Sequence, residues 1–576
     1  MREMITLQVG QCGNQLGRLF WEEALEEHAR YNVHGIFGDA MSSFFRNVDS
    51  RDVVDSPNLP LGSGVTPISG LKARAVLVDT EDGPVAQTLR GPLGDLFDGQ
   101  QVVTDVQSSG AGNNWAQGFY DYGPRHAEAI GNAARRAAEF CDSLQCFFLL
   151  HSLGGGTGSG LGTFILSLLE DDFPSISRFT TSVFPSEDDD VITSPYNSIL
   201  AMNELIEHAD CVLPLENQQL SRLSTRSRSL LQDFDQNTRG DGRGSGIPYR
   251  GARGRSGTGS TVRRQIHPAI PATTMHQQGQ PTFTYYAKAK DLFPNLDLAK
   301  QPAMKPSGLP RYGGEAAIGD VPSGSERRKD ALYSQSDGSQ GFDGMNRVAA
   351  QLLTHLTASM RFPGQLNMDM NEITTNLVPF PGLHFLVPAL APLSVDTSAS
   401  CANFPSSGSS NIPRAAVVRQ LFHNTFAASH QLLNVDPKSG IYIANALLLR
   451  GELSISDVNN CMAKLYPNLA TVHWNQDGFK VGLCSAASLH HPHAVLSLSN
   501  NTSIAQTFEK MQRRFEALFS RRAMTHHYTH FMGDGNHDGQ FKEAALAVAE
   551  LVGRYRSFER PNKGREDAME RFVPFV

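Results

Sequence analysis

The chain contains 576 residues, which is too many for one ordinary hydrophobic core and predicts two or three packed units. Hydrophobic residues make up 40% and charged residues 19%, and no apolar run approaches the ~20 residues of a membrane-spanning helix. The formal net charge of −8 is mild for this length, so we expect no membrane partner and disfavour nucleic acid as a ligand.

The cysteines and the first residues indicate the compartment. Seven cysteines are scattered along the chain without any CxxC pair, so neither a disulfide framework nor a zinc site is predicted. Met1–Gly10 lacks the basic region followed by an apolar stretch that is typical of a secretory signal. We therefore expect a protein of the reducing cytoplasm.

The first third of the chain alternates apolar runs of strand length with short turns and helix-like stretches. These runs are Met4–Val9, Ala75–Val78 and Cys146–Leu150. The alternation predicts an α/β fold, with a Rossmann-like parallel sheet and crossover helices. Ligands of such sheets bind at the carboxyl ends of the strands, where the loops after these runs would gather.

The composition changes between about Arg222 and Gln340, where Arg-Gly, Ser-Gly and Pro-Gly combinations dominate. Such a segment cannot bury enough apolar area to offset its chain entropy, so residues 222–340 are predicted to form a disordered insertion. Its basic first half could bind RNA or an acidic surface. A solvated loop without a partner is the favoured interpretation, because low complexity alone is weak evidence.

Regular patterns return after the insertion. Apolar residues recur at three- and four-residue spacing from Met345 to Met360, which predicts an amphipathic helix. A hairpin is predicted further on, with one strand at Val472–Trp474 and the other at Phe479–Cys484. Two helices, at about Ser503–Arg521 and Gln540–Phe558, are predicted to follow.

The most informative segment is the glycine loop, residues Gly154–Gly160, which reads GGGTGSG between an apolar strand and an apolar helix. Glycines let the backbone approach a phosphate, and the amides and the helix dipole supply positive potential. No lysine follows, so this is not a Walker loop, and it is not the GxGxxG fingerprint of dinucleotide enzymes. A flexible linker is disfavoured because apolar elements adjoin both ends. The loop therefore predicts a nucleotide phosphate site that needs a metal ion to neutralise the remaining charge.

These motifs resemble those of tubulins and their bacterial relative FtsZ. The glycine loop resembles the family signature, and residues 10–15 and 110–116 resemble its first and third phosphate loops. The further tubulin-like segments follow in the family's order: Pro195-Tyr196-Asn197, Arg361–Asn367, Val378–Pro381 and Leu383–Phe385. The resemblance covers nearly the whole chain outside the insertion and the last dozen residues.

The resemblance implies a tubulin/FtsZ-like domain order. A GTP-binding domain would span residues 1–221, and the insertion 222–340 would precede a core helix at 341–361 that completes the GTP site. An intermediate α/β domain would follow at 362–500, with a C-terminal helical region at 501–576.

Three further segments resemble the epsilon branch of the tubulin family: Ser42–Asp49, Asp190–Leu200 and Glu207–Pro214. That branch implies a cytoskeletal protein of the centrosome, centriole or basal body, acting in microtubule organisation. Other tubulins docked head to tail, and centriolar or basal-body proteins, would be its partners. Another divergent branch, such as delta-tubulin, remains an alternative.

The resemblance also implies GTP or GDP as the ligand. Gln11, Cys12 and Gln15 would line the phosphates and ribose, and residues 111–113 would close over the terminal phosphates. The implied nucleotide contacts are Gly10, Gln11, Cys12, Gln15, Ala111, Gly112, Asn113, Ser152, Gly154, Gly155, Gly156, Thr157, Gly158, Asp190, Asn217, Phe342 and Asn346.

Three of the implied positions would serve Mg²⁺. Gln11 would lie near the ion, and Asp79 and Glu81 would hold its water, which suits a hard, hydrated cation. Without the motifs around them, these two acids could equally form a solvated turn.

The resemblance assigns other residues to the nucleoside. Asp190 matches a ribose-contacting aspartate, but Ser194 stands where a second acid is usual, so ribose binding would be weakened. Asn217 and Asn346 would read guanine, and Phe342 would stack on it in place of the family's tyrosine.

The resemblance places the catalytic acids on a different loop. Leu366–Glu372 resembles the segment that alpha-tubulin delivers to the nucleotide of the next subunit. Glu372 would orient or activate the attacking water, and Asp369 would support it from the same helical face. The alternative is an exposed acidic helix start, favoured by the helix dipole.

Other interpretations remain open. A tubulin-fold scaffold could bind GTP without turnover. A dinucleotide-dependent enzyme is disfavoured because the acidic ribose reader after a GxGxxG turn is absent. The histidines at 490–493 and 526–530 do not have the spacing of a standard zinc ligand set.

Overall fold

The computed structural model describes residues 2–31, 38–48, 58–59, 70–105, 110–187, 189, 191–225, 340–393, 414–475, 478–533 and 537–559. Nearly all of the predicted insertion lies outside the described residues. Residues 222–225, the first positions of the predicted insertion, are described and belong to a helix at 217–225.

The described strands form three sheets. In chain order they are β1 (Glu3–Val9), β2 (Phe45–Val48), β3 (Asn58–Leu59), β4 (Gly70–Ala73), β5 (Ala75–Asp79), β6 (Val102–Thr104), β7 (Leu144–Ser152), β8 (Ser177–Phe184), β9 (Cys211–Glu216), β10 (Gly364–Leu366), β11 (Val387–Ala391), β12 (Tyr442–Arg450), β13 (Phe479–Cys484) and β14 (Ala494–Asn501).

The first large sheet has six strands in the order β6-β5-β1-β7-β8-β9, and every pairing in it is parallel. All seven residues of β1 are buried, as expected for a central strand covered on both faces. This sheet confirms the α/β prediction. Because the strands run in one direction, all their carboxyl ends lie along one edge.

Helices connect and cover the strands. The longer ones are α1 (Gly10–Tyr31), α2 (Asp82–Arg90), α3 (Gly123–Glu139), α4 (Gly162–Asp172), α5 (Ser194–His208), α6 (217–225), α7 (Gln340–Leu356), α8 (Met370–Leu377), α9 (Arg414–Thr425), α10 (Ile455–Leu465), α11 (Ala505–Phe519), α12 (His526–Met532) and α13 (His537–Ser557).

Helix α3 illustrates how the sequence produces these elements. Pro124 lies in its first turn, where a missing amide hydrogen costs nothing. Ile130, Ala133, Ala134 and Ala137 recur at helical spacing and are buried in the same core as β1 and β7. The small alanines let the helix lie close to the sheet.

The second large sheet is mixed, with the order β10-β13-β12-β14-β11. Strand β13 pairs in parallel with β12 and antiparallel with β10. The hairpin prediction is therefore wrong: His473 and Trp474 lie in a turn closed by the Asn475 amide on the Val472 carbonyl at 3.3 Å. Helix α10 forms the crossover from β12 to β13, so β13 pairs with the strand before α10 and not with residues 472–474. Asp477, in the predicted hairpin turn, lies outside the described residues.

The predicted amphipathic helix after the insertion is confirmed as α7, with a short helical turn at Ala358–Arg361 after it. The two C-terminal helices are also confirmed, as α11 and α13. Helix α12 between them was not predicted. None of the helices in the described ranges is long and apolar enough to cross a bilayer.

A buried ion triad joins α1, the turn after α7 and β12. Glu27 accepts from Arg361 at 2.6 Å and from Arg450 at 2.7 Å, and all three side chains are almost completely buried. Both guanidiniums also donate to the Thr354 carbonyl, at 2.8 and 3.4 Å. Burial by itself would raise the pKa of Glu27, but Arg450 and Arg361 outweigh it and lower the pKa to about 2.

We expect Glu27→Gln to lower the free energy of unfolding by about 3–5 kcal/mol, because it leaves two buried guanidiniums without a compensating charge. Chemical denaturation followed by circular dichroism would measure this loss.

Glu26→Gln is the matched control. Glu26 belongs to an exposed pair with Arg30 at 2.7 Å, so its loss should cost less than about 1 kcal/mol. Equal losses for both variants would contradict the central role of the triad.

The stabilisation by Glu27 depends on pH in a defined direction. The folded-state pKa of Glu27 is depressed, so the stabilisation is fully present above the unfolded pKa of about 4.3 and disappears as pH falls towards 2.

Candidate functional site

Three loops meet at the carboxyl edge of the six-stranded sheet. Helix α1 starts directly after β1 at Gly10, whose φ of 72° lies in the left-handed region that favours glycine. Asn14, one turn later and fully buried, donates to the Val78 carbonyl of β5 at 3.1 Å. Thr80, just after β5, bonds Thr157 of the glycine loop at 2.6 Å. The loops after β1, β5 and β7 are therefore held against each other.

The glycine loop and the loop at 110–113 approach at backbone distance. A Cβ on Gly156 would lie 2.6 Å from the Ala111 carbonyl oxygen and 2.7 Å from the Asn114 amide nitrogen. A Cβ on Gly160 would collide with the Trp115 carbonyl oxygen and lie 2.9 Å from the Gly118 Cα. Glycine is required at both positions because any side chain would separate the loops.

The loop at 110–113 adopts an unusual backbone conformation. Gly110, Gly112 and Asn113 have φ values of 65°, 53° and 53°. Asparagine tolerates this left-handed conformation better than most residues. Gly112 and Asn113 are exposed. Consecutive residues with such turn conformations can direct their backbone amides at an anion.

Asn197 of α5 ties these two loops together, and its role was not predicted from the sequence. Its Nδ2 donates to the carbonyls of Asn113 at 2.8 Å and Gly154 at 2.9 Å. Its Oδ1 accepts from the Trp115 amide at 2.9 Å. The residue lies inside a tubulin-like motif, but the motif alone does not show which loops it joins.

His151 lies under the glycine loop. Its Nδ1 bonds the Gly158 carbonyl at 2.8 Å, and its Nε2 bonds Ser182 at 2.8 Å. Burial lowers the pKa of His151 to about 4, so the ring is neutral at physiological pH. Since a carbonyl can only accept, Nδ1 carries the hydrogen, and the ring supports the loop without adding charge.

Asp79 and Glu81 form an acidic corner beside these loops. Asp79 is buried and Glu81 is exposed. Burial, together with the neighbouring Glu81, raises the pKa of Asp79 to about 7. A bound cation would offset the cost of ionising Asp79 beside Glu81. Two carboxylates suit Mg²⁺, which retains water and takes further oxygens from phosphates. Within the described residues no group of three or more His, Cys, Asp or Glu could hold a metal alone.

Two of the sequence-predicted base contacts, Phe342 and Asn346, lie in the first turns of α7. Asn346 donates to Gln15 of α1, a predicted phosphate and ribose contact, at 3.4 Å. Asn217 begins α6 and is half-buried, and Phe342 is 54% exposed. Cys12 is partly buried, and burial raises the pKa of its thiol to about 12.

Asp190, the predicted ribose contact, lies outside the described residues. Its neighbour Asp189 accepts from the Ser194 hydroxyl at 2.8 Å. The same carboxylate oxygen would be 3.2 Å from a Cβ on Gly154. Asp189 is therefore a residue at the edge of the glycine loop that the sequence prediction missed, although a run of three aspartates marked the segment.

Comparisons with known proteins agree with this geometry. Residues 3–225 match the model of the tubulin/FtsZ family GTPase domain, and residues 381–513 match the tubulin C-terminal domain. The chain is 41% identical to the tubulin epsilon chain of Mus musculus over 560 residues, 97% of this chain and 96% of the relative. It is 41% identical to that of Homo sapiens over 555 residues, 96% of each. The chain belongs to the tubulin family.

Membership confirms the resemblance and its epsilon-like character. As a member of the family, this tubulin binds guanine nucleotide and interacts with other tubulins. It is a cytoskeletal protein. The roles of individual residues in this tubulin remain predictions.

The predicted catalytic acids lie on the opposite edge of the sheet from the glycine loop. Asp369 pairs with Arg2, immediately before β1, and Asn371 accepts from Ser177 at the start of β8 at 3.4 Å. The glycine loop follows the end of β7, whose nine residues rise about 3.3 Å each, so roughly 25–30 Å separate the two places. Glu372 therefore cannot reach the phosphate loops of its own chain.

Asp369 has a clear local function. It is the N-cap of α8 and accepts from the Glu372 amide at 2.8 Å, and it is buried. Glu372 is half-buried, and within the described residues its Oε2 has no hydrogen-bond partner. The cap positions the first turn of α8, and the unpaired Glu372 Oε2 is buried in the isolated chain.

Two glycine substitutions should separate folding from nucleotide binding. Gly160→Ala should lower the free energy of unfolding by about 1–3 kcal/mol or more, because its methyl group collides with backbone. Gly155→Ala should leave stability within about 1 kcal/mol, since its Cβ would meet only the Asn113 Oδ1 at 3.8 Å. That methyl group faces the space between the loops, so guanine nucleotide affinity should fall about tenfold or more. Thermal unfolding and titration with a fluorescent GTP analogue would measure the two effects.

An unchanged nucleotide affinity in folded Gly155→Ala would contradict the placement of phosphates between these loops.

Proposed function

We propose that this chain is an epsilon-type tubulin that binds GTP between the glycine loop and residues 110–113 and acts in centriole or basal-body microtubule organisation. The observation that supports it most is the polarity of the six-stranded sheet. The phosphate loops lie at its carboxyl edge and the Glu372 loop at its amino edge. Subunits stacked head to tail would bring these two edges together.

In the proposed site, backbone amides of Gly154–Gly158 and of the left-handed loop 110–113 hold the phosphates. Gln11 lies exposed at the first turn of α1, where the dipole favours an anion. Mg²⁺ would supply charge neutralisation at the terminal phosphates, and Asp79 and Glu81 would hold its water.

The base would lie near the start of α7. The Asn346–Gln15 contact fixes the orientation of one amide, and Asn217 would complete the reading of guanine. Phe342 is exposed enough to stack on a base without first losing a packing partner. Asp190, with Asp189 beside it, would receive the ribose hydroxyls.

Hydrolysis would be completed between subunits. Glu372 would accept a hydrogen bond from the attacking water on the neighbour's nucleotide and orient its lone pair. Asp369 would act indirectly, by capping α8 and fixing the backbone that carries Glu372. The alternative is a tubulin-fold scaffold that retains GTP without turnover.

We expect Glu372→Ala to retain its own bound nucleotide, because the residue lies far from the phosphate loops. Partner-stimulated hydrolysis should fall at least tenfold, because the neighbour's water loses its orienting carboxylate. Purified chain would be mixed with GTP-loaded alpha–beta tubulin or with itself, and phosphate release would be followed in single turnover.

Thr375→Ala is the control, since Thr375 is exposed on the same helix and carries no charge. Stimulated hydrolysis that is unchanged in Glu372→Ala would exclude the trans-catalytic role. A wild-type chain that holds GTP but never stimulates hydrolysis would favour the scaffold. Chromatography of the released nucleotide that shows none, or NAD, would contradict both, and tagged protein absent from centrioles would contradict the cellular role.

A further inference from the structure

Helix α12 is connected to the two phosphate loops by hydrogen bonds that span more than 300 residues of sequence. The Tyr528 hydroxyl bonds the Asn197 Oδ1 at 2.6 Å, across 331 positions. On the adjacent residue, the His527 carbonyl accepts from the Asn114 Nδ2 at 2.9 Å. One short helix therefore contacts both the loop at 110–115 and the residue that ties it to the glycine loop.

The Asn197 amide uses its full hydrogen-bonding capacity. Its two N–H groups donate to the Asn113 and Gly154 carbonyls, and its oxygen accepts from the Trp115 amide and from Tyr528. The amide cannot be flipped, because both partners of Nδ2 are carbonyls and Trp115 supplies a donor. Burial raises the pKa of Tyr528 well above its ordinary value, so the hydroxyl stays protonated and donates.

Tyr528 is itself fixed by packing. It is fully buried in an aromatic cluster with Tyr196 and Phe541, at ring-centroid distances of 5.5 and 5.3 Å. The turn that leads into α12 contains Arg522 and Met524 at φ values of 51° and 60°, a conformation that non-glycine residues rarely adopt. Such strain persists only when the surrounding contacts hold it, and Tyr196 bonds the Ala523 carbonyl inside this turn at 2.6 Å.

We propose that Tyr528 is a positioning residue for the nucleotide site, which sets the spacing of the two phosphate loops through Asn197. The inference rests on the proposed GTP site between these loops. Tyr528 bonds neither loop directly: its short bond is to the Asn197 amide, and its second, longer bond is to the Thr193 carbonyl at 3.4 Å. Without its hydroxyl, the Asn197 oxygen keeps only the Trp115 amide as a donor, so the amide that holds the Asn113 and Gly154 carbonyls is less firmly fixed.

The consequence is that a C-terminal helix influences how firmly nucleotide is held.

The test compares Tyr528→Phe with Tyr196→Phe in the full chain. Both substitutions keep the ring in the same cluster and remove one buried hydroxyl donor with a 2.6 Å bond. Their effects on thermal stability should therefore match. Dissociation of a fluorescent GTP analogue should accelerate about 5–20-fold in Tyr528→Phe, and less than about twofold in Tyr196→Phe. In an Asn197→Ala background, Tyr528→Phe should have no further effect, because the shared link is already lost.

Equal dissociation rates for the two phenylalanine variants, or full additivity with Asn197→Ala, would overturn the inference while leaving the GTP site intact. A wild-type chain that binds no guanine nucleotide would overturn the proposed function itself. Should Tyr528→Phe fail to fold, Asn114→Ala removes the other bond to α12, and a wild-type dissociation rate in that variant would also count against the inference.

Discussion

The architecture depends on one buried carboxylate. Glu27 reaches from α1 to Arg361 after the core helix and to Arg450 at the end of β12, so a single side chain holds the phosphate-binding half and the second sheet to one helix. A charge buried at this depth is tolerated only when all its partners are present, so the three elements have to assemble together. His28 and His355 lie beside the triad, and burial with the nearby guanidiniums lowers the pKa of each to about 3. They remain neutral and add no competing charge.

The second constraint is the direction of the parallel strands. All six carboxyl ends share one edge, so the glycine loop, the start of α1 and the loop at 110–113 must meet there. The segment with Asp369 and Glu372 lies at the amino edge, where it contacts Arg2 before β1 and Ser177 at the start of β8. The phosphate loops and the Glu372 segment therefore lie on opposite edges, which is why the proposed hydrolysis involves a second subunit.

At the carboxyl edge of the six-stranded sheet, two glycines and the fully hydrogen-bonded amide of Asn197 act together. Gly156 and Gly160 permit backbone contact that no other residue would allow. Asn197 supplies the polar partners that this close approach would otherwise leave unsatisfied. Its link to Tyr528 extends the site to a helix that contains no residue of the glycine-rich motifs.

The sequence by itself determined most of the local elements and the family to which the site's motifs belong. The GGGTGSG loop, the core helix and the α/β alternation could be read directly, because each depends on residue type and short-range spacing. Only the tertiary structure decided the partner of β13, since a crossover helix replaces the predicted hairpin, and strand pairing depends on contacts distant in sequence. It likewise decided the linking role of Asn197, the presence of Asp189 at the edge of the loop, and the capping role of Asp369. Those roles arise from distances between atoms far apart along the chain, which residue spacing does not encode.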